Sequence, residues 1–229
     1  MSDPRDEGLR RQLANLADRP VAGWKIGLTS GAARDSMGAG FRPFGFILAD
    51  RVFASGGAIP LAPFRADEGI RVGVENELCF RMGAALSADA SPDEARAAVA
   101  SVAPGFEINE QRLPRDASVV ERLGDDLNQW GIVAGEDVVL DFSTFDFESL
   151  NVALALDDVV VETVAARGHI DDHFVSIAAL ARQLGRFGRT LEAGSRVITG
   201  SYTRQRVTDA CRWRGDFGSD IGRVSVEFR

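Results

Sequence analysis

The sequence predicts a β-rich α+β fold in a single domain over residues 1–229. Segments with the two-residue alternation of strands outnumber those with helical periodicity. No internal repeat, low-complexity tract or linker divides the chain, and 229 residues suffice for one strand-rich domain. Apolar residues make up 45% and charged residues 26%, the balance of an ordinary globular protein.

In order along the chain, residues 5–16 place Leu9, Leu13 and Leu16 at helical spacing and predict a short amphipathic N-terminal helix. A turn at Arg19 and Pro20 leads into a glycine-flanked strand over 21–27. Ser30 is positioned to cap a short helix over 32–37, ended by Gly38. Residues 44–53 are strand-like, and Gly56 with Gly57 marks a turn. The longest strand candidate covers 70–82, with Val72, Val74, Leu78 and Phe80 on alternating positions. Ser91, Pro92, Asp93 and Glu94 form an N-cap and first-turn signature for a helix over 92–102. Strands are expected over 106–109, 131–133 and 152–164, the last folded into a hairpin at Asp157 and Asp158. Ile177, Leu180, Leu184 and Phe187 define one face of a helix over 174–187, with Gly188 as its stop. Strands over 196–202 and 224–228 close the chain.

Several function classes are excluded early. No window of 18 apolar residues exists, and residues 1–11 lack the apolar core of a signal peptide, so a cytoplasmic protein is expected. A net charge of −8 argues against an electrostatic grip on nucleic acid or anionic lipid. Cys79 and Cys211 are too few for a disulfide framework, and Cys79 lies in an apolar run that suits a small buried thiol.

The informative stretch is Val74-Glu75-Asn76-Glu77-Leu78. On a strand, residues two apart share a face, so Glu75 and Glu77 point the same way among apolar neighbours. Paired buried carboxylates repel each other and are costly to desolvate unless a proton, an arginine or a hard cation lies between them. Glu107, between Phe106 and Ile108, offers a third carboxylate. Three oxygen ligands without a nearby cysteine or histidine match Mg²⁺ or Mn²⁺, because hard cations prefer oxygen. The plainer alternative is a solvated acidic face with arginines opposite. Of the 26 basic residues, Lys25 alone is lysine, which suggests a site needing a compact amine able to lose its proton.

At these residues the chain resembles the 2-oxo-4-pentenoate hydratase and 4-oxalocrotonate decarboxylase branch of the fumarylacetoacetate hydrolase superfamily. Gly23-Trp24-Lys25-Ile26-Gly27-Leu28-Thr29-Ser30 is similar to that branch's GxKIGLTS block. The Glu75/Glu77 stretch resembles the block giving two metal ligands, and Phe106-Glu107-Ile108 with Arg112 resembles the block giving the third. Leu191-Glu192-Ala193-Gly194, running on to Thr199-Gly200-Ser201-Tyr202-Thr203-Arg204, resembles the C-terminal block. The resemblance implies a mixed β-roll of the fumarylacetoacetate hydrolase C-terminal-domain type, a Mg²⁺ or Mn²⁺ ion and a homo-oligomer. It implies a small 2-oxo acid as substrate, hydrated or decarboxylated through an enolate. Glu75, Glu77 and Glu107 match the metal ligands and Lys25 the active-site lysine, whose pKa a nearby cation and burial would lower. Leu28, Thr29, Asn128, Gln129, Ser201 and Thr203 match substrate-proximal positions, and Glu110 or Arg112 is expected to support the metal glutamates from behind.

The sequence departs from the branch at two places. Pro43, in Arg42-Pro43-Phe44-Gly45, stands where the hydratases carry an acidic residue, and proline moves no proton. Asp126-Leu127-Asn128-Gln129-Trp130-Gly131 replaces small hydroxyls with amides and an indole, so Trp130 either narrows the pocket or packs in the core. Two other functions therefore stand beside the lyase: a non-catalytic hydratase-like subunit serving a partner enzyme, and a C–C bond hydrolase of acylpyruvates. The hydrolases of the superfamily use a histidine ahead of the metal glutamates. His169 and His173 follow them, on a polar segment that suits surface or capping residues.

Overall fold

The computed structural model describes residues 3–65 and 70–229; Met1, Ser2 and residues 66–69 lie outside it. Helix α1 (Pro4–Leu16) precedes strands β1 (Val21–Ile26), β2 (Phe44–Leu48), β3 (Val52–Ala54) and β4 (Ala58–Ile59). Helix α2 (Ala62–Arg65), strand β5 (Arg71–Met82), helix α3 (Pro92–Ala98) and strand β6 (Val99–Gln111) follow. Helix α4 (Val119–Gly124), strands β7 (Gln129–Ala134), β8 (Asn151–Leu156) and β9 (Val159–Ala165), and helix α5 (His173–Arg186) lead to β10 (Arg196–Val207), β11 (Cys211–Asp216) and β12 (Arg223–Phe228).

The strands form two mixed sheets. The larger runs β2-β1-β10-β5-β6-β7-β3 and the smaller β4-β12-β11-β8-β9. The large sheet curls until β2 approaches β7, giving the expected roll. Alternation sends Val72, Val74, Leu78 and Phe80 of β5 into the main core between sheets and helices. The opposite, inner face carries a smaller apolar cluster of Ile47, Cys79, Ala103, Ile132, Ala134 and Ile198. Glu75 and Glu77 lie on that inner face.

Three expected elements are corrected. The helix over 32–37 is a single 3₁₀ turn, Gly31–Ala33, uncapped by the Ser30 side chain. Gly31 and Asp35 both take positive φ, which interrupts helical propagation. The helix over 92–102 stops at Ala98, although its Ser91/Glu94 capping box forms as expected. Val99 is extended and pairs with Met82, so sheet pairing overrides the helical pattern. The strand over 44–53 is broken by a 3₁₀ turn, Ala49–Arg51, which moves the chain from β1 to a parallel partner, β7. Strand β11 carries no apolar alternation strong enough to predict it, because Gly215 fills one of its inward positions beside Trp213.

Candidate active site

Four adjacent strands build the site. Glu75 of β5 lies directly opposite Glu107 of β6, and opposite Arg204 of β10 on its other side. Glu77 faces Ser201, and Lys25 of β1 pairs with Ile198 of β10. Glu75, Glu77 and Glu107 are 5%, 4% and 4% exposed, and one oxygen from each lies within 4.8 Å of the others. At an effective dielectric near 20, each such ionised pair repels by about 3–4 kcal/mol. Register thus forces together charges that directly opposed strand positions normally avoid.

The partners of the three are unequal. Arg204 holds Glu75, with Nε 2.6 Å from Oε1 and Nη2 2.9 Å from Oε2, while Asn109 Nδ2 donates to Oε1 at 2.6 Å. Lys25 Nζ donates to Glu107 Oε1 at 2.6 Å. Glu77 receives one backbone bond, from Gly200 N at 2.7 Å. Burial, with Glu107 and Glu75 adding to it, therefore pushes the Glu77 carboxyl well above its usual range. Burial also raises Glu75, against the pull of Arg204. Gly200 makes the bond to Glu77 possible: its φ is 135°, and a Cβ there would lie 2.3 Å from Thr29 Oγ1.

Lys25 is 7% exposed. Burial works to lower its pKa, but Glu107, then Glu75 and Asp126, outweigh burial and hold the ammonium above its ordinary value. Without a cation, the lysine is thus the charged half of a buried ion pair, and the lowering expected from the sequence depends on the cation. Its remaining bond runs to Leu127 O at 3.0 Å.

That carbonyl belongs to a turn that sequence patterns do not reveal. Asp126, Leu127 and Asn128 take φ of 57°, 53° and 64°, three successive left-handed residues with no glycine among them. Such backbone costs about 1–2 kcal/mol per residue, somewhat less for Asp and Asn, and persists where surrounding bonds fix it. Arg112 Nε and Nη2 donate to Asp125 Oδ1 and O at 2.9 and 3.1 Å, and Phe46 N donates to Asp126 Oδ1 at 2.8 Å. Asp126 is buried and its carboxyl sits well above its usual range; burial dominates, against Phe46 N–H and Lys25. Gly45 leaves the space that Asp126 and Lys25 share: a Cβ there would lie 2.9 Å from Lys25 Cγ and 3.0 Å from Asp126 Oδ1.

A cavity of about 130 Å³ opens over these groups, lined by Lys25, Leu28, Thr29, Glu75, Glu77, Glu107, Asn128 and Ser201 among others. Gln129 and Thr203, expected in the site, are buried and do not line it. A register shift between Ser201 and Thr203 breaks the alternation that would have put both on one face. Glu110 and Arg112 bind each other, and Arg112 holds the 125–128 turn; the side chains bonded to the glutamates are Asn109, Arg204 and Lys25 instead. Trp130 faces away, stacked on Phe53 at 5.6 Å under the Arg51 guanidinium. His173 is neither a surface nor a capping residue: Asp172 caps α5, and His173 is buried between Thr199 Oγ1 (2.8 Å) and Tyr202 OH (3.1 Å).

The donor set suits a divalent cation. Two cations, Lys25 and Arg204, are bonded to the three glutamates, leaving Glu77 without a cationic partner. The atoms that the three glutamates offer to a cation are all carboxylate oxygens.

No family model matches the chain. It is 31% identical over 183 residues to a 4-oxalocrotonate decarboxylase of Pseudomonas sp, covering 79% of this chain and 68% of that one. It is 27% identical over 233 residues to a 2-oxo-hept-4-ene-1,7-dioate hydratase of Escherichia coli, covering 97% and 83%. The fold matches that of 4-oxalocrotonate decarboxylase from Pseudomonas putida G7, solved with magnesium and adipate, with a TM-score of 0.80 and 23% identity over 96% of this chain and 81% of that one. With a decarboxylase and hydratases as its relatives, the chain is a lyase-type enzyme. The chain belongs to the family of 4-oxalocrotonate decarboxylase and the 2-keto-4-pentenoate hydratases. Among the described residues, no helix is long and apolar enough to cross a membrane.

Proposed function

We propose that this protein is a divalent-metal-dependent lyase that hydrates or decarboxylates a small 2-oxo acid. The observation that carries the reading is the buried triad of Glu75, Glu77 and Glu107 with Lys25 bonded to one of its members. These glutamates would hold Mg²⁺ or Mn²⁺, as an oxygen-only set favours. The cation would supply Lewis-acid stabilisation of the charge that either reaction develops on the 2-oxo oxygen, together with chelation of the adjacent carboxylate.

The remaining work falls to the chain. Arg204 and Asn109 orient Glu75, and Gly200 N–H orients Glu77. Ile26, Leu28, Met37 and Leu127 give the cavity apolar walls that keep bulk water from the charged floor. Lys25, held between Glu107 and the Leu127 carbonyl, carries the proton that the reaction must move at carbon. Asp126 is buried behind the left-handed turn with its carboxyl on Phe46 N and does not line the cavity, so the acidic residue absent at Pro43 has no replacement there, and a non-catalytic subunit remains the second reading. Hydrolysis of acylpyruvates draws no support from the histidines, since His173 is tied into the Thr199–Tyr202 network. The reading includes a homo-oligomer, supported by Val159, Val160 and Val161 exposed on the edge strand β9.

The test is calorimetric titration of metal-stripped protein with Mg²⁺ and then oxalate, beside Glu77→Ala. Oxalate binding that needs the metal and disappears in the variant is expected. Oxalate binding without metal, or a variant that behaves as wild type, defeats the reading.

A further inference from the structure

We infer that Arg112 is a positioning residue for Lys25: it fixes the turn whose Leu127 carbonyl, together with Glu107, sets where the lysine amine stands. Its catalytic weight rests on the proposed metal-dependent reading of the same site, in which Lys25 carries the proton. Lys25 Nζ has two acceptors, Glu107 Oε1 at 2.6 Å and Leu127 O at 3.0 Å. Lysine is a point charge on a flexible stem, so fixed acceptors are what give its amine one position.

The two acceptors are framed differently. Glu107 is held by its strand, β6, in register with Glu75 of β5. Leu127 O has no such frame. It sits in the middle of Asp126, Leu127 and Asn128, all left-handed, and the bond that closes the turn, from Asn128 N to Asp125 O, is long at 3.3 Å. Leucine has neither the polar side chain nor the missing Cβ that eases this conformation, so it has to be imposed from outside.

Arg112 imposes it. The guanidinium meets the residue at which α4 ends and the turn begins: Nε donates to Asp125 Oδ1 at 2.9 Å and Nη2 to Asp125 O at 3.1 Å. The second bond falls on the same carbonyl that Asn128 N uses to close the turn. Nη1 donates to Glu110, which steadies the guanidinium from its other side. A rigid fork of donors can grip the side chain and backbone of one residue at once, and an ammonium cannot. The other tether, Phe46 N, holds only the Asp126 side chain.

Both acceptors of Lys25 trace to one strand. Glu107 lies on β6, and Arg112 directly follows its last residue, Gln111. The strand therefore sets the first acceptor itself and the second through the turn. Arg112 does not line the cavity, so its effect on a ligand passes through Lys25.

The test uses a spectroscopic signature. Lys25 is the only lysine of the chain, so protein isotope-labelled at the lysine side-chain nitrogen gives a single ammonium signal in magnetic resonance. Arg112→Met should shift and broaden that signal, with and without Mg²⁺, while Mg²⁺-dependent oxalate affinity stays within about threefold of wild type. On 2-oxo-4-pentenoate the variant should lose about tenfold in kcat at unchanged KM, the size of one lost hydrogen bond. In a Lys25→Ala background the same substitution should cost nothing further. Arg112→Lys keeps the charge without the fork and should move the signal part of the way; it is read in the same manner if Arg112→Met does not fold. An unmoved ammonium signal, or a tenfold loss of kcat that persists in Lys25→Ala, makes Arg112 structural and overturns the inference. Oxalate binding that is lost in the variant but present in wild type also overturns it, by placing Arg112 behind the glutamates. A wild type that binds no oxalate in the presence of Mg²⁺ defeats the metal-dependent reading instead, and the ammonium signal still decides whether Arg112 places Lys25.

Discussion

Two buried polar clusters hang on neighbouring residues of β10 and are built on opposite principles. On one side, Thr199, His173 and Tyr202 form a chain of neutral groups in which both imidazole nitrogens have partners. On the other, Gly200 and Arg204 reach into a set of carboxylates that the protein alone leaves short of positive charge. The first cluster is closed and serves stability, since satisfied buried networks rigidify a core. The second is left open at a cost, and such cost is tolerated where a ligand completes the set. The difference separates function from structure without appeal to residue type, since the three glutamates are as buried as Thr199, His173 and Tyr202.

The comparison is broken most directly by closing the open cluster artificially. Glu77→Gln removes one negative charge while keeping an acceptor for Gly200 N. It should raise the apo protein's stability by about 1–2 kcal/mol, or about 2–8 °C in Tm for a chain of this size. Wild type should gain about 2.7 kcal/mol from Mg²⁺ at a hundred times its Kd, whereas the variant should gain almost nothing. Thermal melts with and without Mg²⁺ read both quantities, and an apo variant less stable than wild type would show that the carboxylates stabilise the fold. Lys25→Ala sharpens the same point kinetically. It should lose about 10²–10⁴-fold in kcat on a 2-oxo enoate while retaining metal-dependent oxalate binding. Equal loss of both would make Lys25 a structural counter-ion to Glu107.

The closed cluster should respond in stability. His173→Ala leaves Thr199 Oγ1 and Tyr202 OH unpaired beside a cavity, costing about 2–4 kcal/mol, with little change in metal affinity. The wild-type imidazole is pushed down to about 4 by burial, with Asp172 opposing slightly. A base depressed in the folded state contributes stability that is full above its unfolded pKa near 6.5. That contribution, about 3 kcal/mol, is lost as pH falls from about 6.5 towards 4. Urea midpoints at pH 7 and pH 5 should diverge in wild type, and His173→Gln should narrow the gap. A gap of the same size in His173→Gln would assign the acid sensitivity to other groups.

How far the sequence reveals these clusters depends on whether local pattern or register creates them. The glutamates are legible because alternation on one strand places Glu75 and Glu77 together, and Lys25 is legible because arginine serves at every other basic position. Asn109 and Arg204 are not, since their contact with Glu75 follows from pairing between distant strands. Asp126 escapes because its left-handed turn contains no glycine, and its conformation is imposed by Arg112 and Phe46 from far along the chain. His173 is misread because its polar neighbours Asp171 and Asp172 suggest solvent, while its own side chain turns into the core. Thr203 is misassigned because one register shift reverses the face that alternation predicts.

The smallest expected effect concerns Trp130, the residue on which the sequence leaves the pocket's size open. Its ring stacks on Phe53, meets Phe64 at 4.8 Å and lies 4.2 Å from the Arg51 guanidinium, outside the cavity. Trp130→Phe keeps an aromatic face but weakens the cation–π contact, which is worth about 0.5–1 kcal/mol at an exposed site. A stability loss of about that size is expected, with unchanged affinity for oxalate in the Mg²⁺-loaded protein. A change in affinity beyond about threefold, close to 0.7 kcal/mol, would mean that the outer aromatic stack positions the 125–128 turn. The open cluster would then extend through β7 to the surface, and its boundary with the structural core would have to be redrawn at Trp130.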